Sequence, residues 1–185
     1  DRPAELLLKE ITNKTIALQK ESLDTLNALH DALEQENIFI VKEDEINEEQ
    51  RSFINTYFAQ EVGPSLVTLM LNNIESISRI KDVNAFLAVR MELDAEKHPF
   101  LDPIQFALIE IPSSLKRFVV LPSAEEKTHV MLLDDLIRTQ LSTIFDVFQS
   151  KMIEAHMVKF SRDAELDIDD DLSKSYVEKV AESVK

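Results

Sequence analysis

Leucine and isoleucine recur at Leu8, Ile11, Leu18, Leu26, Leu29 and Leu33, in steps of three, four and multiples near seven, with polar residues between them. The spacing predicts one helix over residues 3 to 35, and Pro3 suits its first turn, where a missing N–H costs nothing. At 1.5 Å per residue, a helix of about 33 residues spans roughly 50 Å. That is too long to lie along one small domain, so it belongs to a helical bundle or links two domains. Asn37 ends it, and Ile38 to Val41 is a short apolar run of strand type. Asn47 and Gln50 then stand at capping-box spacing, with Asn47 as the cap and Gln50 reaching back. The helix they open should bury Phe53, Ile54, Tyr57 and Phe58 and stop at Gly63-Pro64.

Beyond Pro64 the texture changes to short apolar runs with turn signals between them. Ser65 to Leu71 is apolar with β-branched members, and Asn72-Asn73 breaks it. Val83 to Leu93, Ile104 to Ile111 and Arg117 to Leu121 read as strands. The loop His98 to Pro103 and the turn Pro112-Ser113-Ser114 punctuate them. Strands at this spacing predict an antiparallel meander. His129 to Leu133 could be strand or helix start, and Asp134 to Phe148 reads as one helix with Leu133, Ile137, Leu141, Ile144 and Phe148 on a face. Lys151 to Ser161 is an extended run, and a last helix is expected from Leu172 to Lys185. The fold class is α+β: a long N-terminal helix followed by a mixed, largely antiparallel sheet domain with packed helices.

Composition narrows the function more than the fold. With 44% hydrophobic residues the 185-residue chain can bury a normal core, enough for one domain or one domain with an appendage. A net charge of −15 repels polyanions unless cations cluster locally, so no nucleic-acid partner is expected. Gly63 is the only glycine, which excludes a glycine-rich phosphate loop and a G-x-S-x-G nucleophile elbow. Without cysteine there is neither a disulfide framework nor a thiolate metal site. No apolar run approaches the roughly 18 residues of a membrane span and no signal peptide is visible, so a soluble, cytoplasmic protein is expected. The chain opens on Asp1 and stops inside the helix-like YVEKVAESVK, as a segment cut from a longer protein would.

The densest polar feature is the switch at Lys159, Ser161, Arg162, Asp163 and Glu165. Arg162 could grip an anion bidentately, with Lys159, Arg90 and Arg117 converging on it. Equally, Arg162 could pair with Asp163, Glu165 or Glu154 and brace the corner, which is the reading favoured here. The carboxylates Asp167, Asp169, Asp171 and Glu178 follow an EF-hand-like count, which opens a calcium-binding alternative across Asp167 to Glu178. Leu172 stands where that loop needs glycine, and acidic residues at a helix start are expected as caps in any case. No metal site is therefore assigned. His30, His98, His129 and His156 show no ligand spacing.

Three blocks carry a resemblance. They are Phe106 to Ser113 with Arg117-Phe118-Val119 and Leu121-Pro122, then Met131 to Ile137 with Ile144-Phe145, and then Lys159-Phe160-Ser161-Arg162-Asp163-Ala164-Glu165. In this order and at this spacing the chain resembles the middle region of bacterial polyphosphate kinase, family 1. The match fails between Leu71 and Val83, where Asn72-Asn73-Ile74-Glu75-Ser76-Ile77 replaces a Pro-rich segment, so the family role of loop 72–82 is not carried over. The resemblance implies that residues 1–36 are the last helix of an N-terminal helical domain and 37–185 most of the head domain. It implies a parent enzyme that transfers the terminal phosphate of ATP reversibly to polyphosphate, with magnesium and a phosphohistidine. In that family the phosphorylated histidine and the main phosphate- and magnesium-binding residues lie in C-terminal domains that nothing here matches. None of the four histidines inherits that role, and no catalytic residue is expected in this stretch. What remains is a part in homodimer or higher homo-oligomer formation and in architecture, beside the parent's catalytic domains.

Overall fold

The computed structural model describes residues 3–72, 84–123 and 126–161. Arg162, the acidic run 167–178 and the expected last helix lie outside the described residues.

Helix α1 runs over Ala4–Gln35, one residue inside its predicted start, and none of its residues is buried. Asn37 closes it in the left-handed region at φ 60°, a conformation asparagine tolerates. Its carbonyl then accepts from Thr128 N at 2.8 Å, which starts the chain into β1, Ile38–Ile40. Helix α2, Glu48–Tyr57, opens on the predicted capping box: Asn47 Oδ1 accepts from Gln50 N and Gln50 Oε1 accepts from Asn47 N. The predicted stop at Gly63-Pro64 is displaced. The chain stays helical through a π turn, Phe58–Val62, and a 3-10 turn, Gly63–Ser65. Gly63 is not a left-handed cap. A side chain there would meet the Phe58 carbonyl at 3.1 Å, so glycine serves close approach.

The predicted strands form, but not as one meander. β2 (Val67–Met70), β3 (Ala85–Glu92), β4 (Ile104–Glu110) and β7 (Met152–Lys159) make an antiparallel sheet in the order β2-β4-β3-β7. β5 (Phe118–Leu121) and β6 (Thr128–Leu132) leave it to form a second sheet, β1-β6-β5, in which β1 runs parallel to β6. The fold is α+β. The long helix expected over 134–148 is three pieces, α3 (Leu133–Thr139), α4 (Leu141–Ile144) and a 3-10 turn (Asp146–Phe148). The break falls at Gln140, whose buried amide donates to Asn55 Oδ1 of α2 at 2.8 Å. That tertiary bond outranks the local preference for one continuous helix.

Leu87, Val89 and Met91 of β3 alternate with outward residues and join Ile54, Phe58, Met131, Leu136, Ile137 and Leu141 in one core between the sheets and helices. Among the described residues, the opposite face of the four-stranded sheet carries a small cluster around Phe86 and Leu108, and Val67, Phe106 and Met152 on it stand exposed.

Candidate functional site

Of the cations nominated from the sequence, those among the described residues, Arg90, Lys159 and Arg117, do not converge. Arg90 lies on the outer face of β3, 3.2 Å from Glu154 of β7 and 4.0 Å from Glu92. Lys159 ends β7 opposite Ala85, on the other face of the sheet. Five residues of β3 separate those two positions, about 17 Å along a strand. Arg117 stands elsewhere, against Asp134 at 3.0 Å. The structure therefore assembles no shared anion site from Arg90, Lys159 and Arg117.

It assembles instead a buried acid-base cluster where β6 passes into α3. Asp134 and Asp135 occupy the first turn of α3 and are only 5% and 9% exposed. Arg138 sits three and four residues on, the spacing that puts all three side chains on adjoining faces. Its guanidinium bonds Asp135, lies 3.8 Å from Asp134, and donates through Nε to Glu43 Oε2 at 3.0 Å. Arg117 reaches Asp134 Oδ1 from the start of β5, close enough for an ion pair but without hydrogen-bond alignment. Burial pushes the Asp135 carboxyl above its ordinary range, against the pull of Arg138. Burial also works against the charge on Arg138, and Asp135 and Glu43 more than restore it. Every strong donor here is already committed to a carboxylate, so the cluster clamps β5, α3 and the loop after β1 together and leaves little charge for a ligand.

The sign of the Asp135 shift gives a pH dependence. Stability gained from a raised carboxyl is fully present below its unfolded value of about 3.9 and is lost as the pH rises through the folded value. Asp135→Asn is uncharged at every pH and lacks that gain. Wild type should therefore gain on the variant as pH falls from neutrality to below about 4, measured as urea midpoints at the two ends. A wild type that loses ground over that interval contradicts the shift.

The histidines are dispersed. His30 lies on α1, His98 in the turn after β3 with a buried, unpartnered Nε2, and His156 on the outer face of β7. His129 faces Gln50, whose capping-box contact fixes the amide so that Nε2 must donate, to Pro122 O at 3.2 Å and to His129 Nδ1 at 2.8 Å. That contact assigns the His129 ring proton to Nε2. Among the described residues no three His, Asp or Glu side chains are grouped to hold a metal ion.

The sequence did carry one signal for the cluster, an Asp-Asp-x-x-Arg step inside an apolar stretch, but Glu43 and Arg117 arrive from distant segments. Among the described residues, the nominated site and the observed cluster share only Arg117.

Comparison with known proteins places the chain. Residues 49–185 match the family described as the polyphosphate kinase middle domain. The polyphosphate kinase of Vibrio cholerae is 32% identical over 183 residues, covering 96% of this chain and 25% of that protein. The Escherichia coli K12 enzyme is 28% identical over 184 residues, covering 97% and 26%. The crystal structure of polyphosphate kinase from Porphyromonas gingivalis shares the fold, with a TM-score of 0.66 and 21% identity over 83% of this chain and 25% of that one. The chain thus spans about a quarter of the length of the curated relatives it matches. It belongs to the polyphosphate kinase family, with that family's middle domain across residues 49–185.

Proposed function

We propose that these residues are the architectural, dimer-forming portion of a polyphosphate kinase that transfers the terminal phosphate of ATP reversibly to polyphosphate, with magnesium, in the cytoplasm. Residues 1–36 are the last helix of an N-terminal helical domain and 37–185 most of the head. The chemistry belongs to other parts of the parent. One observation carries this reading: Arg90, Arg117 and Arg138 are each paired with a carboxylate of the same domain, which leaves little of their charge for a phosphate. A net charge of −15 supports it, since such a surface holds a polyanion poorly.

Two apolar surfaces support the architectural part. Along α1, Leu8, Ile11, Leu18, Leu26 and Leu29 are all exposed, a stripe that suits packing against further helices. On the four-stranded sheet, Val67, Leu69, Ile104, Phe106 and Met152 make an outward patch of the type that marks contact with another protein surface. Sedimentation equilibrium of the 185-residue chain at micromolar concentration should give the mass of two or more copies. A mass of 21.2 kDa, that of one chain, at every concentration removes the dimer-forming role.

A further inference from the structure

Among the described residues β7 ends the four-stranded sheet and is bonded on one side only, to β3. The ladder shows which of its backbone groups are spare. Leu93 N donates to Pro103 O and Ile111 N donates to Ala85 O, so the odd-numbered residues of β3 turn their peptide groups toward β4. In an antiparallel sheet a residue that bonds one neighbour turns away from the other, so the even-numbered residues of β3 bond β7. Since Ala88 stands opposite His156 and Arg90 opposite Glu154, the N–H and C=O groups of Ile153, Ala155, Met157 and Lys159 point to the free edge. Among the described residues nothing bonds them.

A cleft of about 400 Å³ runs beside that edge. Its strand side is residues 153–156, consecutive positions from both faces, which only a strand edge can present. Arg51 of α2, Arg138 and Thr139 of α3, Leu141 of α4 and Glu43, which is paired with Arg138, form the other wall. The core-facing row that ends here runs Met70, Ala107, Val89, Ala155, so small side chains lie nearest the edge. Arg51 is exposed and has no ion pair among the described residues.

We propose that this cleft receives a single extended strand from the part of the parent polypeptide outside these 185 residues. It pairs with β7 as a fifth strand, sets a bulky apolar side chain beside Ala155 and brings a carboxylate to Arg51. The inference rests on the reading of the chain as one portion of a longer kinase, for which relatives about four times its length provide the donor. An edge strand of eight residues is a template for strand addition, in which main-chain bonds give affinity and side-chain pockets give register. A second copy could reach β7 only with its own helices alongside, and α2 to α4 already occupy that side of the edge.

Amide hydrogen exchange on the 185-residue chain and on the full-length protein tests it. The Ile153, Ala155 and Met157 amides should exchange about 100-fold or more slower in the full-length protein, while Glu154 and His156 are protected in both. Ala155→Pro removes an outward N–H, which an open edge tolerates, so it should leave the Tm of the 185-residue chain nearly unchanged and lower that of the full-length protein. Equal exchange in the two proteins overturns the proposal. So does protection already present in the 185-residue chain, whether it grows with concentration, as pairing between copies would, or not. Polyphosphate synthesis measured on the same full-length sample separates the two claims: an active enzyme with an unprotected β7 sinks the fifth strand alone, and an inactive one sinks the kinase reading beneath it.

Discussion

Replacing Arg138 with methionine should lower stability by about 3–5 kcal/mol, the cost of removing one partner from a buried ion pair. The loss follows from what the arginine leaves behind. Among the described residues Asp135 keeps no ion-pair partner and Glu43 loses the guanidinium it accepts from, while Asp134 retains Arg117. Two neighbouring carboxylates, each less than a tenth exposed, would then share one marginal partner. At roughly 2–4 °C per kcal/mol for a chain of this size, Tm should fall by about 6–20 °C. Glu43→Gln should cost less, because that carboxylate is 46% exposed and water can replace its partner. A loss below about 1 kcal/mol for Arg138→Met would mean that the cluster is solvated and is not the clamp described above.

Leu87→Ala should cost about 2–5 kcal/mol. Leu87 is fully buried at the centre of β3, opposite Ile109 on one side and Met157 on the other. Truncation there opens a cavity where two sheets and three helices meet, with little freedom for the neighbours to close in. Phe100→Ala is the matched control, since Phe100 is 97% exposed and its removal should change stability by no more than about 0.5 kcal/mol. Urea midpoints of the two variants decide the matter. Equal small losses would show that the sheet is not covered by the helices as the core requires.

Much of this fold was legible locally. α1, the Asn47–Gln50 box, the turn at Asn37 and strands β3, β4 and β7 were each specified by neighbours in sequence, through periodicity, capping or αL tolerance. What failed was decided at long range. The meander gave way because Ile38–Ile40, from the far end of the domain, pairs parallel with β6 and draws β5 into a second sheet. No local pattern records which strand a neighbour will choose. The helix over 134–148 was cut because Gln140 finds Asn55, 85 residues away. The candidate site was less legible still. Arg90 and Lys159 were nominated by charge and resemblance, but alternation along β3 and β7 put them on opposite faces, a consequence of register that single residue types do not reveal.

The central claim is that these 185 residues shape a polyphosphate kinase without performing its chemistry. γ-Labelled ATP with magnesium, offered to the 185-residue chain and to the full-length protein, tests it most directly. The expected result is labelled polyphosphate from the full-length protein, and neither labelled polyphosphate nor a labelled histidine from the 185 residues alone. A phosphorylated His30, His98, His129 or His156 in the isolated chain would contradict it.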